Sequence, residues 1–500
     1  MKKHFFYPLL IIFPLFTHAQ DKHDYNWLLG LHKDGIEYFA NHFDFNQNPV
    51  EIRPSALLGG LQQGTVMSDA DGQLLFYSGG CGVANRNHEM MENGDSINAP
   101  SLIFEPNCVR DTLAYNLRQG ILSLPVPNKK DQFIMFHLSV QVKNSLPDRL
   151  RYTTIDMSYN NGLGKVIEKN IIITDGEFAD AMTAVKHANG RDWWIIIPEK
   201  NNIYHKLLLT PDGFQHSIQV MEYNRLFGQW ANNAVFSPDG TKYARLGQDQ
   251  QLLYMCFDRC SGLFSCPIFI RMDSFYPTAG GVAFSPNSQL LYVTYSQELF
   301  QFSTKNLSSN SKPLLIDRYD GFKLGFAATF FRMALAPNGK IYMCCSNGIA
   351  VMHAINAPDS VGTACRFEQH SIPLFGSNHI GINHFPNFRL YDQAASRCDT
   401  LDIDTPEYLP EPARWVPVEG MHIYPNPASD YFHLAVAACE SGRLRVVNAE
   451  GRILYEVSNW SGPQNIDIDA TNWPGGVYFV HLFRYQFRVI HTVEKVLVVH

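Results

Sequence analysis

From about residue 60 to residue 355 the chain alternates polar turns with short apolar runs. LLFY follows Ser68-Asp-Ala-Asp-Gly72, WWIII follows Lys186-His-Ala-Asn-Gly190, and YARL follows Phe236-Ser-Pro-Asp-Gly240. LLYVTY comes after Phe284-Ser-Pro-Asn-Ser288, IYMCC after Leu335-Ala-Pro-Asn-Gly339, and FIMF after Pro127-Asn-Lys-Lys-Asp131. Pro presets φ, Asx bonds its own backbone and Gly accepts a positive φ, so Pro-Asx-Gly is a turn with a mechanism. The runs are short, aromatic and β-branched, which predicts strands, and a second strand usually follows, as in IYHKLLL, LLYMCFD and LFQFS. The final turn residues 190, 240, 288 and 339 are 50, 48 and 51 apart, and the 118 residues from 72 to 190 hold two longer units. A period near 50 made of strands predicts a β-propeller, whose blades must stack to cover their faces.

Six units fit between about Gly60 and Ile355. Tyr25–Ile52 and Cys365–Leu390 flank them and are strand-like. Sharing one closing blade they would make seven, with six as the alternative count. The fold class is all-β, and a pair of antiparallel sandwiches is the competing arrangement.

The first residues read differently. Lys2 and Lys3 precede the apolar run Phe5 to Phe16 and then Thr17-His-Ala19. That run is too short for a bilayer core of about 30 Å, and the pattern is that of a secretory signal peptide over 1–19, cleaved after Ala19. No later run suggests a transmembrane segment. The charged fraction is 17%, the formal charge −7, and 35 Gly and 28 Pro punctuate the chain. These values exclude a coiled coil, a collagen or a wholly disordered chain, and give no bulk attraction to nucleic acid.

An exported chain meets oxidising conditions, so its ten Cys need partners or burial. The closest cluster, Cys256-x3-Cys260-x5-Cys266, lacks the His or CxxC spacing of a zinc site. Local disulfides and buried thiols are expected instead, with Cys365–Cys398 the candidate staple at the end of the propeller.

FSPDG and FSPNS resemble the blades of WD-repeat-like propellers. Phe257-Asp-Arg-Cys-Ser-Gly262, the SDADGQLLFYSGG…NRNHEMMENG segment, HFPNFRL (384–390) and RCDTL (397–401) resemble a family of secreted propeller proteins of Bacteroidota. This similarity spans roughly 25–402. The family has no generally assigned activity, so the resemblance implies architecture and location. The propeller is thus expected over 20–400, with a Pro-rich, acidic linker over 401–420.

From Met421 the strands become closely spaced: YFHLAV, GRLRVVN, QNIDIDA, GGVYFVHLF and VEKVLVV. Alternation and turns at Asn448-Ala-Glu-Gly451 and Pro474-Gly-Gly476 predict a small Ig-like β-sandwich. Tyr424-Pro425-Asn426-Pro427, Gly451, Gly475-Gly476-Val477-Tyr478 and terminal Lys495 resemble the type A sorting domain of the type IX secretion system. The resemblance implies that residues 421–500 are read by the outer-membrane translocon and that the protein is extracellular or on the outer-membrane surface, after Sec export to the periplasm.

Catalytic signatures are absent: there is no HExxH, GxSxG or P-loop. Ser68-Asp-Ala-Asp-Gly72 lacks the distal Glu of a calcium loop and reads as a turn. His88, His137, His187, His205, His353, His379 and His384 are scattered, as are Asp180, Glu199 and Asp273, though a ring can gather such residues on its axis. No metal or cofactor is expected. A non-enzymatic binding module is the leading reading, with an unknown protein or glycan ligand and a candidate loop carrying Arg225, Trp230 and Asn232. A secreted hydrolase or lyase acting on polysaccharide or peptide is the alternative.

Overall fold

The computed structural model describes residues 21–30, 40–59, 61, 63–101, 108, 117–140, 147–221, 231–247, 251–272, 280–295, 297–378, 380–394, 396–401, 421–436, 442–449, 452–460, 464–485 and 489–499. The expected signal segment and nearly all of the expected linker lie outside them. The chain divides into two compact units, Met1–Thr405 and Pro406–His500.

In the first unit the described residues form seven antiparallel blades. Blade 1 is β1 (Asn26–Leu29), β2 (Ala40–Asp44) and β3 (Glu51–Ser55), and blade 2 is β4 (Thr65–Ser68), β5 (Leu74–Ser78) and β6 (Val83–Asn85). Blade 3 holds β7 (Ile121–Pro125), β8 (Gln132–Ser139), β9 (Arg149–Asp156) and β10 (Lys165–Asp175). Blade 4 holds β11 (Thr183–Lys186), β12 (Trp193–Glu199), β13 (Ile203–Thr210) and β14 (Gly213–Val220). Blade 5 holds β15 (Ala231–Phe236), β16 (Lys242–Gly247), β17 (Gln251–Asp258) and β18 (Leu263–Arg271). Blade 6 holds β19 (Val282–Phe284), β20 (Leu290–Tyr295), β21 (Glu298–Ser303) and β22 (Leu314–Arg318). After the small hairpin β23 (Lys323–Leu324) and β24 (Phe326–Ala327), blade 7 holds β25 (Phe330–Leu335), β26 (Ile341–Cys345), β27 (Ile349–Ile355) and β28 (Phe367–Asn378). The count is seven, and each expected Pro-Asx turn joins the first strand of a blade to its second.

Stacking explains why the inner strands are apolar on both faces. In β20 all six residues are buried. Because side chains alternate along a strand, Tyr292 packs toward blade 7 with Met333 and Met343, while Leu291, Val293 and Tyr295 pack toward blade 5 with Leu246 and Leu252. Outermost strands such as β14 lose this double cover and carry exposed residues.

The chain ends close the ring. Residues 380–384 run past β1, where Asn383 Oδ1 accepts the Leu28 N–H at 2.9 Å and Ile382 packs in the cluster of Trp27 and Phe43. Asn41 of β2 meanwhile accepts the Phe375 and Gly376 N–H groups of β28, at 2.8 and 3.3 Å. The strands of blade 1 nevertheless all come from the N-terminal flank, while β28 is the outer strand of blade 7 and residues 380–384 only cover β1. The expected single closing blade shared by both flanks is therefore not formed: each flank finds its strand partners locally.

The second unit is a two-sheet sandwich. One sheet is β29 (Met421–Tyr424), β30 (Tyr431–Val436) and β33 (Gln464–Asp469); the other has the order β32 (Ile453–Trp460), β31 (Gly442–Asn448), β34 (Gly476–Tyr485), β35 (Val489–Val498). Phe432, Leu434, Ile468, Leu444, Val446, Val480, Leu482, Val496 and Val498 fill the space between the sheets.

The disulfides correct one expectation. Cys398 is bonded to Cys260, 138 residues away, and Cys81 to Cys108, while Cys365 is a buried free thiol. Cys365 ends the 3-10 turn Gly362–Cys365 and packs beside Tyr292, which holds it in the blade 6–blade 7 interface. The chain after residue 384 crosses away from there to blade 5, so Cys398 meets the β17–β18 turn instead.

Candidate functional sites

The ring axis is spanned by side chains from opposite blades. His384 Nε2 meets Thr183 Oγ1 of β11 at 3.2 Å, linking the closing segment of blade 1 to blade 4. Arg332 of β25 donates from Nη1 to Gln63 Oε1 at the entry to blade 2 (3.3 Å). Asp180, just before β11, is buried, and burial pushes its carboxyl up to about 6 against the pull of Arg332, Arg118 and Arg245. Burial, with Arg332 beside it, holds His384 down at about 3, so the imidazole is neutral. Asp180 and His384 are thus gathered on the axis as the propeller reading allowed. The other candidates are not: His137 bonds Asn98 and Thr153 within blade 3 and its neighbour, and Glu199 pairs with His205 in blade 4. His379 and Asp273 lie outside the described residues.

One mouth of the ring is covered by the chain itself. After His384, Phe385 stacks on Trp27 and Phe388 is buried between His23 and Trp193. Arg389 makes a two-pronged bond to Asp24 (2.6 and 2.7 Å), Asn387 donates to Pro238 O, and the Cys260–Cys398 bond ends the crossing. The Pro-Asx-Gly turns form its bed. Gly240 and Gly190 have φ of +71° and +72°, and a Cβ would meet Leu390 Cδ2 at 2.7 Å or Asp392 N at 2.6 Å. Only glycine satisfies both the backbone and the close approach.

A polar cleft of about 830 Å³ lies between blades 1 and 2. In its wall Arg53 donates from Nε to His42 Nδ1 (3.2 Å), so the neutral ring carries its proton on Nε2 and gives it to Asn26 Oδ1 (2.7 Å). Burial and then Arg53 bring His42 down to about 4 and lower His88 as well. His88 is gripped from both nitrogens, by Tyr77 OH at 3.0 Å and Ser55 Oγ at 3.3 Å. The acids in the wall serve turns: Asp69 Oδ1 accepts the N–H of Asp71 and Gln73, and Asp44 Oδ1 accepts from Asn46. The Ser68–Gly72 segment is therefore a turn. Sequence reading picked out His88 and its loop but not His42 or Arg53, because β2 and β3 carry no motif and meet blade 2 only in the folded ring.

Of the candidate binding loop, Arg225 and Trp230 lie outside the described residues, and Asn232 stands in β15. Among the described residues no group of three or more His, Cys, Asp or Glu is placed to hold a metal ion. No helix is long and apolar enough to cross a membrane.

In the second unit Asn426 clasps the last strand. Its Nδ2 donates to Lys495 O at 2.7 Å and its Oδ1 accepts the Leu497 N–H at 3.0 Å. The bond from Leu497 O to Ala428 N–H extends the clasp. Pro425 and Pro427 flank it on the surface. Gly475 and Gly476 turn the chain into β34, where Val477 faces out and Tyr478 is buried with its hydroxyl on Pro474 O. Gly451 lies outside the described residues.

Residues 422–498 match the family model of the secretion system C-terminal sorting domain. No curated protein matches the chain. Among solved structures, a protein from Lactobacillus plantarum is 11% identical with a TM-score of 0.44, covering 72% of this chain and 98% of its own. A protein from Bacteroides uniformis is 13% identical with the same score and coverages. The Swd1 β-propeller domain of Myceliophteria thermophila is 9% identical with a TM-score of 0.37, covering 65% of this chain and 91% of its own. The chain is a β-propeller protein that carries a type IX secretion sorting domain and is exported to the cell surface or the extracellular space.

Proposed function

We propose that the exported propeller is a binding module that holds a polar ligand, a glycan or a peptide, in the cleft between blades 1 and 2. The arrangement of His42, His88 and Arg53 carries this reading. Both imidazoles are neutral and fixed at both nitrogens, and Arg53 is exposed, its Nε bonded to His42. With both imidazoles committed to the protein, they act as a rigid wall, and the Arg53 guanidinium set in it donates to hydroxyl, amide or carboxylate oxygens with little ordering cost. The nearby carboxylates are occupied by their turns, which leaves the cleft without an obvious general acid or base. Trp230, with Arg225 and Asn232, remains a second candidate contact.

The hydrolase or lyase reading rests on the axial Asp180 and His384, a carboxyl with a raised pKa and a neutral imidazole that each feel the charge of Arg332. The two readings separate on glycan and peptide arrays probed with the purified full-length chain. The binding reading expects Arg53→Ala to abolish capture with an unchanged melting temperature and no turnover of any captured ligand. Turnover that disappears in Asp180→Asn but survives Arg53→Ala would establish the alternative.

A further inference from the structure

Blade 5 carries two thiols on the paired strands of its outer hairpin. β17 and β18 pair with Cys256 opposite Ser265, and a register shift falls between Tyr254 and Cys256. Cys266, the next residue on β18, falls in this irregular stretch of the pairing with a φ of +51°. The Cys266 thiol is near enough to act on the ionisation of Cys256. Cys266 is exposed and Cys256 half-buried, whereas Cys344, Cys345 and Cys365 are buried. Four residues after Cys256, Cys260 is already committed to Cys398. The remaining members of the sequence cluster are thus a neighbouring pair with access to solvent.

We infer that Cys256 and Cys266 are a dithiol that a disulfide-donating oxidoreductase converts to a third disulfide in the exported protein. The exposed Cys266 gives up its proton and attacks one sulfur of the donor's disulfide. A mixed disulfide forms, and the donor's other sulfur leaves as a thiolate and takes up that proton. Cys256, losing its own proton, then attacks Cys266 Sγ, closing the bond within the chain and releasing the donor as a dithiol. Two electrons and two protons pass to the donor. Burial, and then the neighbouring Cys266, push the Cys256 thiol up. At neutral pH it is therefore held as the thiol, which suits an order in which Cys266 reacts first.

The test uses the full-length protein recovered from outside the cell, alkylated without reduction, digested and mapped by mass spectrometry. A Cys256–Cys266 cross-linked peptide is expected, with loss of both thiols from the free-thiol count. In Cys256→Ser, Cys266 should become freely alkylated or carry a mixed disulfide, and in Cys266→Ser, Cys256 should stay a free thiol. Finding both residues alkylated in the wild-type protein overturns the inference, as does a Cys266 bond to a second copy of the chain. Melting temperatures of the variants confirm that the blade is folded in each case.

Discussion

His384 and Thr183 touch across the centre of the ring although 201 residues separate them. The contact holds a neutral imidazole beside the Arg332 guanidinium, and protonating it would place two cations in one enclosed space. His42, His137 and His353 share the condition, held down by burial at about 4, about 3 and about 3. Each has a folded pKa below its unfolded value of 6.5, so the unfolded chain binds more protons between those limits. Stability is therefore complete above about pH 6.5 and falls as the pH drops toward 3–4. Each ten-fold displacement of proton affinity corresponds to about 1.4 kcal/mol. Urea midpoints should decline steadily from about pH 7 to pH 5, with a shallower decline in His384→Asn. A midpoint that stays constant over that range would remove this account.

The Cys260–Cys398 bond closes a loop of 138 residues in sequence. Its loss in Cys398→Ser should cost about 2–5 kcal/mol, and proteases should cut first between residues 391 and 401. Phe388→Ala should cost about 3–5 kcal/mol, because the ring is fully enclosed among His23, Trp193 and Phe385. Thermal unfolding with limited proteolysis reads both. An unchanged cleavage pattern in Cys398→Ser would show that Arg389 and Asn387 suffice to hold the crossing.

Two glycines make a controlled pair. Gly190 and Gly339 occupy the same turn position with φ of +72° and +77°, but a Cβ on Gly339 meets nothing within 4 Å, while on Gly190 it meets Asp392 N. Gly339→Ala should cost about 1–2 kcal/mol for the left-handed backbone alone. Gly190→Ala should cost more and should also loosen the 391–401 segment. Equal losses in the two variants would mean that the crossing segment does not bear on the turns.

Asn426 ties the loop between β29 and β30 to the last strand, β35, with two side-chain bonds. Asn426→Ala should lower the stability of that unit by about 1 kcal/mol or a little more and reduce the amount of protein reaching the surface. Deleting 421–500 should leave a folded propeller in the periplasm, as judged by fractionation and melting of the retained protein. Normal surface delivery of the truncated chain would contradict the role of the domain.

The blades were legible because Pro, Asx and Gly shape a turn for local reasons, and six turns drawn from these residues recur, two of them with the full Pro-Asx-Gly order. The count of seven was legible from the two strand-like flanks, but not their arrangement. The N-terminal flank forms blade 1 by itself and the C-terminal flank supplies the outer strand of blade 7, because antiparallel neighbours in sequence pair first. Axial placement of Asp180 follows from its position at the entry to blade 4, where a ring directs side chains inward, whereas that of His384 follows from the path of residues 380–384 past β1. Cys398 was misassigned because disulfide partners depend on the path of the chain through space. Nothing local to residues 385–398 announces a crossing to blade 5. The blade 1–blade 2 cleft escaped for the same reason: His42, Arg53, Asn26 and His88 come from four separate segments, each ordinary by itself.

The seam of the ring lies where the first strand meets the last residues of the propeller. During synthesis β1 appears early, but Asn383 and Ile382, which cover its inner edge, emerge some 350 residues later. A growing chain can build every blade from neighbouring strands, yet the edge of β1 stays uncovered until residues 380–384 arrive. Late, long-range closure of this kind is slow and leaves the intermediate open to misassociation. It also makes the seam the last part of the ring to be sealed: a chain cut short before residue 380 lacks Asn383 and Ile382, and the bare edge of β1 is where it is expected to open first.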